Sequence, residues 1–94
     1  RIRNFADDSD ITFESDDGSG GNTTYFFLDG SGAITRVSRN FRTNDSIRFQ
    51  AGSSGDLNIY HDGTHSYIGN DTGNLYIQFF SVIMVVVVLL NILN

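Results

Sequence analysis

The apolar residues of this chain do not recur at helical spacing. They come as short clusters, such as Tyr25-Phe26-Phe27-Leu28 and Leu57-Asn58-Ile59-Tyr60, separated by Gly, Asp and Asn. Clusters closed in that way form strands joined by tight turns. Gly, Ser, Thr, Asn and Asp make up 46 of the 94 residues, and these side chains favour turns over helix interiors. The pattern predicts an all-β chain of short antiparallel strands and hairpins with Gly, Asp and Asn turns. A meander and a β-solenoid or fibre-like, oligomeric arrangement both fit it. Strands are expected over residues 10–15, 23–28, 33–38, 46–50, 56–61, 64–69 and 75–80, with further candidates at 82–90 and 2–5.

The hairpin around Asp62-Gly63 is the best-defined unit, because Asp-Gly suits the two central positions of a type I′ turn. That register pairs His61 with Thr64, Tyr60 with His65, Ile59 with Ser66, Asn58 with Tyr67 and Leu57 with Ile68. Side chains alternate across a strand, so Leu57, Ile59 and Ile68 share one face. Asn58, Tyr60, His65 and Tyr67 share the other. Leu75 and Ile77 would continue the apolar face, with Tyr76 pointing the other way. Asp17-Gly18 and Asp29-Gly30 mark two more turns. Phe26, Leu28, Ile34, Ile47 and Phe49 are expected to complete the core.

Residues 1–78 read as a single β-rich repeat module, and residues 79–94 as an apolar C-terminal strand. From Thr72 to Asn94 there is no charged side chain at all. A membrane-spanning helix needs about 20 apolar residues, and the run from Phe79 to Leu93 is shorter, interrupted by Ser81 and Asn91 and without flanking positive charge. Val and Ile crowd a helical turn but suit a strand buried on both faces. Such a strand must be covered. The segment, with Val82, Val85, Val87 and Leu89 in it, is therefore expected to lie buried between subunits.

Two stretches carry a resemblance. One is Asp10-Ile11-Thr12-Phe13-Glu14-Ser15-Asp16-Asp17-Gly18-Ser19-Gly20-Gly21. The other runs Asp56-Leu57-Asn58-Ile59-Tyr60-His61-Asp62-Gly63-Thr64-His65-Ser66-Tyr67-Ile68 and is followed by Gly73-Asn74-Leu75-Tyr76-Ile77. Together they resemble the repeat module of fibre-like structural proteins from marine tailed phages and cyanophages, over about residues 2–77. Tyr76-Ile77-Gln78 also resembles Arg1-Ile2-Arg3, an offset of 75 residues, as one repeat running into the next would produce. After Gln78 the chain departs from that pattern. The resemblance implies a virion or extracellular location and a structural role.

Chemistry is sparse. The chain has no Cys for disulfides or thiolate metal sites and no Lys for a P-loop. A formal net charge of -5 argues against nucleic acid as a partner and makes a membrane surface an unfavourable one. His61 and His65 flank a turn and are expected on opposite strand faces, which leaves no shared metal within one chain. The acids at Asp7, Asp8 and Asp10 and at Asp16 and Asp17 lack the alternation of an EF-hand loop. No convergent acid, base and nucleophile set is legible, so no catalytic residue, metal ligand or cofactor is expected.

The leading expectation is a self-assembling structural protein, a fibre, head-decoration or filament subunit. Its partners would be copies of itself, as a trimer or filament, and other virion proteins. Leu57, Ile59, Ile68, Leu75 and Ile77, with the strand through Val82, Val85, Val87 and Leu89, form the expected assembly face. A second reading is a receptor- or glycan-binding module using Tyr60, His65, Tyr67 and Tyr76, since rigid aromatics offer wide contact with few rotamers to freeze. A third is a short membrane-anchored virion protein.

Overall fold

A computed structural model describes residues 1–80. It is all-β, with no helix among those residues. Six strands follow in chain order: β1 (Ile11–Asp16), β2 (Asn22–Asp29), β3 (Ile34–Val37), β4 (Phe49–Ala51), β5 (Leu57–His61) and β6 (Ser66–Asn70). They form two three-stranded antiparallel meanders, β1-β2-β3 and β4-β5-β6. The chain divides into two compact units, Arg1–Arg42 and Thr43–Asn94, each holding one sheet. The stretch expected to be one module over residues 1–78 thus contains two sheets, each built from neighbours in sequence.

In the first unit, Phe13 of β1 stands opposite Phe26 of β2, and their rings stack at 4.4 Å. The register then shifts by a bulge, with Glu14 opposite Thr24, so Tyr25 is the extra residue. The Tyr25 hydroxyl donates to the Asp16 carbonyl, and its own carbonyl accepts from Ser38 N at 2.9 Å. The bulge is thereby tied on both sides. Ile11, Phe13, Phe26, Leu28 and Val37 fall on one face by this pairing. Phe27 and Arg36 are opposite each other on the other face, where the guanidinium lies 5.6 Å from the ring centroid and also pairs with Asp29 at 3.3 Å.

The β2–β3 loop is closed by Asp29, whose Oδ1 accepts from Gly32 N and Ser31 Oγ, both at 3.0 Å. Ala33 completes it with a left-handed φ of 53°. Gly30 is required for a different reason. A Cβ there would lie 1.9 Å from the Ser9 carbonyl oxygen, because the N-terminal segment crosses the loop and Asp10 Oδ1 accepts from Gly30 N at 2.9 Å.

In the second unit the hairpin register differs from the one expected. His61 pairs with Ser66, Tyr60 with Tyr67, Ile59 with Ile68, Asn58 with Gly69 and Leu57 with Asn70. The central turn residues are Gly63 and Thr64, while Asp62 stands before them. Its N donates to the His65 carbonyl at 2.9 Å, and its carboxylate caps the turn. The displacement is two residues, an even number, so the division of side chains between faces survives.

Other expectations are corrected. β4 starts at Phe49 instead of Ser46, because Ser46 adopts a left-handed φ of 66° in a turn where Ile47 N donates to the Asn44 carbonyl at 3.0 Å. That conformation is incompatible with a pleated strand. Neither residues 2–5 nor residues 75–80 form a strand, since no described strand offers them a ladder. The expected strand over residues 82–90, with Val82, Val85, Val87 and Leu89, lies outside the described residues.

The largest correction concerns the core. Among the described residues no apolar side chain is buried. Phe26, Leu28, Ile34, Ile47 and Phe49, expected inside, are all exposed. A three-stranded sheet has one apolar face and needs a second layer to cover it. Among the described residues neither unit contains a helix or second sheet of its own to supply one.

Candidate functional site

Among the described residues the buried position belongs to a polar side chain in the second unit. Asn58 is 1% exposed. Its Oδ1 accepts from Gln50 Nε2 at 2.8 Å, while its Nδ2 donates to the Gly55 carbonyl at 2.9 Å and to Asp71 Oδ2 at 3.3 Å. The two amide protons and the carbonyl are therefore all engaged, which is the condition for burying an amide at little cost. One side chain joins β4, the β4–β5 loop and the segment after β6. Sequence reading placed Asn58 on an outward polar face and missed this role. The signal was present in an amide at a strand centre flanked by apolar neighbours at Leu57 and Ile59.

On the same face lies an aromatic row. Tyr60 and Tyr67, directly opposite on β5 and β6, stack at 4.9 Å with 20° between planes. Arg48 places its guanidinium 4.3 Å from the centroid of Tyr60. Register puts Arg48 on the β4 side of Tyr60 and Tyr67 on the β6 side, so both ring faces of Tyr60 are covered. His65 meets Tyr67 edge-on at 6.5 Å. The Tyr67 hydroxyl donates to Asp62 Oδ2 at 3.0 Å.

The electrostatics of this corner follow from Asp62. Backbone N–H groups of His65 and Thr64 donate to its Oδ1 at 2.7 and 2.8 Å. These hydrogen bonds, His65 first, hold its carboxyl below the usual carboxylate range, with Tyr67 adding a smaller contribution. The same bond to Asp62 raises the phenol of Tyr67. Asp17 and Asp29 repeat the device. The first accepts from Ser19 N at 2.7 Å and Gly21 N at 3.1 Å, the second from Gly32 N, and both carboxyls are lowered by those backbone bonds. Each of the three Asp-Gly pairs thus carries an anion that caps its own turn.

Of the candidate ligand surface, Tyr60, His65 and Tyr67 stand together. Tyr76 is 79% exposed, and its hydroxyl accepts from Asn74 Nδ2 at 3.4 Å. The row also includes Arg48 and Asp62, which sequence reading left out. His61 points to the opposite face and pairs with Ser66 Oγ at 2.8 Å. Among the described residues no group of three His, Cys, Asp or Glu is placed to hold a metal ion, and no helix is long and apolar enough to cross a membrane.

Of the expected assembly face, Ile59 and Ile68 stand side by side on β5 and β6 at 45% and 65% exposure, and Phe49 of β4, expected in the core, joins them beside Ile59 at 57%. Leu57 is half-buried on the same face. Leu75 and Ile77, in the segment after β6, are exposed. The first unit presents an equivalent open face in Phe13, Phe26, Leu28 and Val37. Phe13 and Val37 were not singled out from the sequence, though the alternation Ile11-Thr12-Phe13 carries the signal.

The chain matches no protein-family model, no curated protein and no solved structure.

Proposed function

We propose that this protein is a structural, self-assembling subunit of a virion or extracellular appendage, a fibre, head decoration or filament that associates with copies of itself and with other virion proteins. The supporting observation is that, among the described residues, each unit has one sheet whose apolar face is open to solvent. Contiguous exposed apolar surface marks an interaction site. The virion context rests on the resemblance of the two quoted stretches to phage fibre repeats. A capture surface for a receptor or glycan is supported less, because Tyr60 is covered on both ring faces and Tyr67 retains one face.

Light scattering and negative-stain imaging of the purified chain test the proposal. Discrete oligomers or filaments are expected, converting to smaller species when Phe26→Asp and Ile59→Asp are introduced together. A wild-type chain that stays monomeric at high concentration would overturn it.

A further inference from the structure

The strands β1, β3, β4 and β6 lie at the outer edges of the two sheets. An open edge is a template for strand addition, and proteins guard edges with charge, bulges or shortness. β1 carries Glu14 and Asp16 beside the bulge, and β3 carries Arg36. β4 has three residues. β6, with the sequence Ser-Tyr-Ile-Gly-Asn, has five residues, no charge and regular pairing to β5. Among the described residues no strand pairs with its outer edge.

Among the described residues nothing requires a glycine at position 69. A Cβ there would meet nothing within 4 Å, and its φ is not left-handed. Glycine weakens a strand interior, and within a ladder it often marks a bulge, a bend or close approach by another group; β6 pairs with β5 without a bulge, which leaves approach from outside as the reading that fits.

We infer that two copies of this chain join edge to edge through β6, antiparallel about a two-fold axis at Ile68. In that register Ile68 faces the partner's Ile68, and Tyr67 faces the partner's Gly69. The apolar row Phe49, Ile59 and Ile68 then continues into its own image across the axis. Tyr67, whose inner ring face rests on Tyr60, lays its outer face over the partner's glycine, an arrangement by which an aromatic covers a cross-strand glycine. The contact is self-complementary, as two-fold interfaces are. An axis at Tyr67 fits worse: Ile68 would face the partner's Ser66, and the apolar row would break. This inference rests on the self-assembly reading and names the contact that carries it.

The absence of cysteine makes the test clean. Directly opposed residues in an antiparallel pair lie about 4.5–5.5 Å apart at Cα, within disulfide reach. In the proposed dimer two copies of residue 59 are three strand spacings apart, about 14 Å, which is out of reach. Full-length Ile68→Cys should therefore give a disulfide dimer on mild oxidation, and Ile59→Cys should not. Ile68→Lys should abolish the edge dimer with an unchanged circular dichroism spectrum.

Crosslinking through Ile59→Cys in place of Ile68→Cys would show packing by faces and overturn the edge contact alone. So would a wild-type oligomer in which neither variant crosslinks. A monomeric wild type, with neither cysteine variant crosslinking, would overturn both this contact and the self-assembly reading.

Discussion

Gln50 and Asn58 stand directly opposite each other on β4 and β5, and their side-chain amides are joined by a 2.8 Å hydrogen bond at the most buried of the described residues, Asn58. Leaving buried polar groups unpaired costs about 1–3 kcal/mol each. Asn58→Leu should therefore destabilise the second unit by about 2 kcal/mol, despite adding apolar volume. Asn58→Asp should do more harm at neutral pH, since a carboxylate would face Asp71 and the Gly55 carbonyl. Urea unfolding followed by the tyrosine signal would measure both, and recovery of Asn58→Asp on mild acidification would identify charge repulsion as the cause.

Two positions in one loop should respond to substitution in opposite directions. At Gly30 an added methyl collides with the Ser9 backbone, which cannot yield without displacing the N-terminal segment. Gly30→Ala is expected to cost about 1–3 kcal/mol, typical of overpacking. Ala33 already holds a left-handed φ that glycine adopts freely. Ala33→Gly should stabilise the loop by up to about 1 kcal/mol, the strain of that conformation for an L-residue. Amide hydrogen exchange of β2 and β3 would register protection lost in the first variant and gained in the second.

Acid should loosen the turns first. The carboxyls of Asp17, Asp29 and Asp62 are lowered in the folded chain, so the folded state favours their anions. Their stabilising contribution is present above the ordinary aspartate range near pH 4 and is lost as pH falls through the lower folded values. Tyr67 has the opposite sign. Its raised phenol contributes below about pH 10 and loses that contribution as pH rises through the folded value. Tyr67→Phe should remove this alkaline component, and Asp62→Asn should lessen the acid one. Thermal melts across pH 2–11 would show either effect.

Removing Tyr60 should cost more than its area suggests, since it loses partners on both ring faces. Aromatic pairs contribute about 0.5–1.5 kcal/mol beyond burial, and exposed cation–π contacts about 0.5–1 kcal/mol. A double-mutant cycle on Arg48→Ala and Tyr67→Ala, each measured with and without Tyr60→Leu, would separate the two contacts.

The strand-and-turn character was legible because apolar clusters and Asp-Gly pairs are local signals. The faces of β5 and β6 were legible too, since a displacement by two residues preserves alternation. The turn register was not. Asp-Gly fits the centre of a two-residue turn by backbone preference, but the Asp62 carboxylate captures the N–H groups of Thr64 and His65 and so takes the position before the turn. Burial was the least legible property. Alternation at Ile59 and Ile68 marks which side is apolar but carries no information on whether a second layer exists. For the same reason Asn58, polar by type, was assigned to solvent, although its partners Gly55 and Asp71 come from different loops.

The open apolar faces have a calorimetric consequence. The heat-capacity increase on unfolding comes mainly from newly hydrated apolar surface, and in the described residues much of that surface is already hydrated in the folded chain. A subunit of this kind should unfold with a small heat-capacity change and a flat temperature dependence of stability. The hydrophobic signature would appear when copies associate, as a negative heat-capacity change of binding. Cooling would then weaken the assembly well before it disturbs the fold of its subunits.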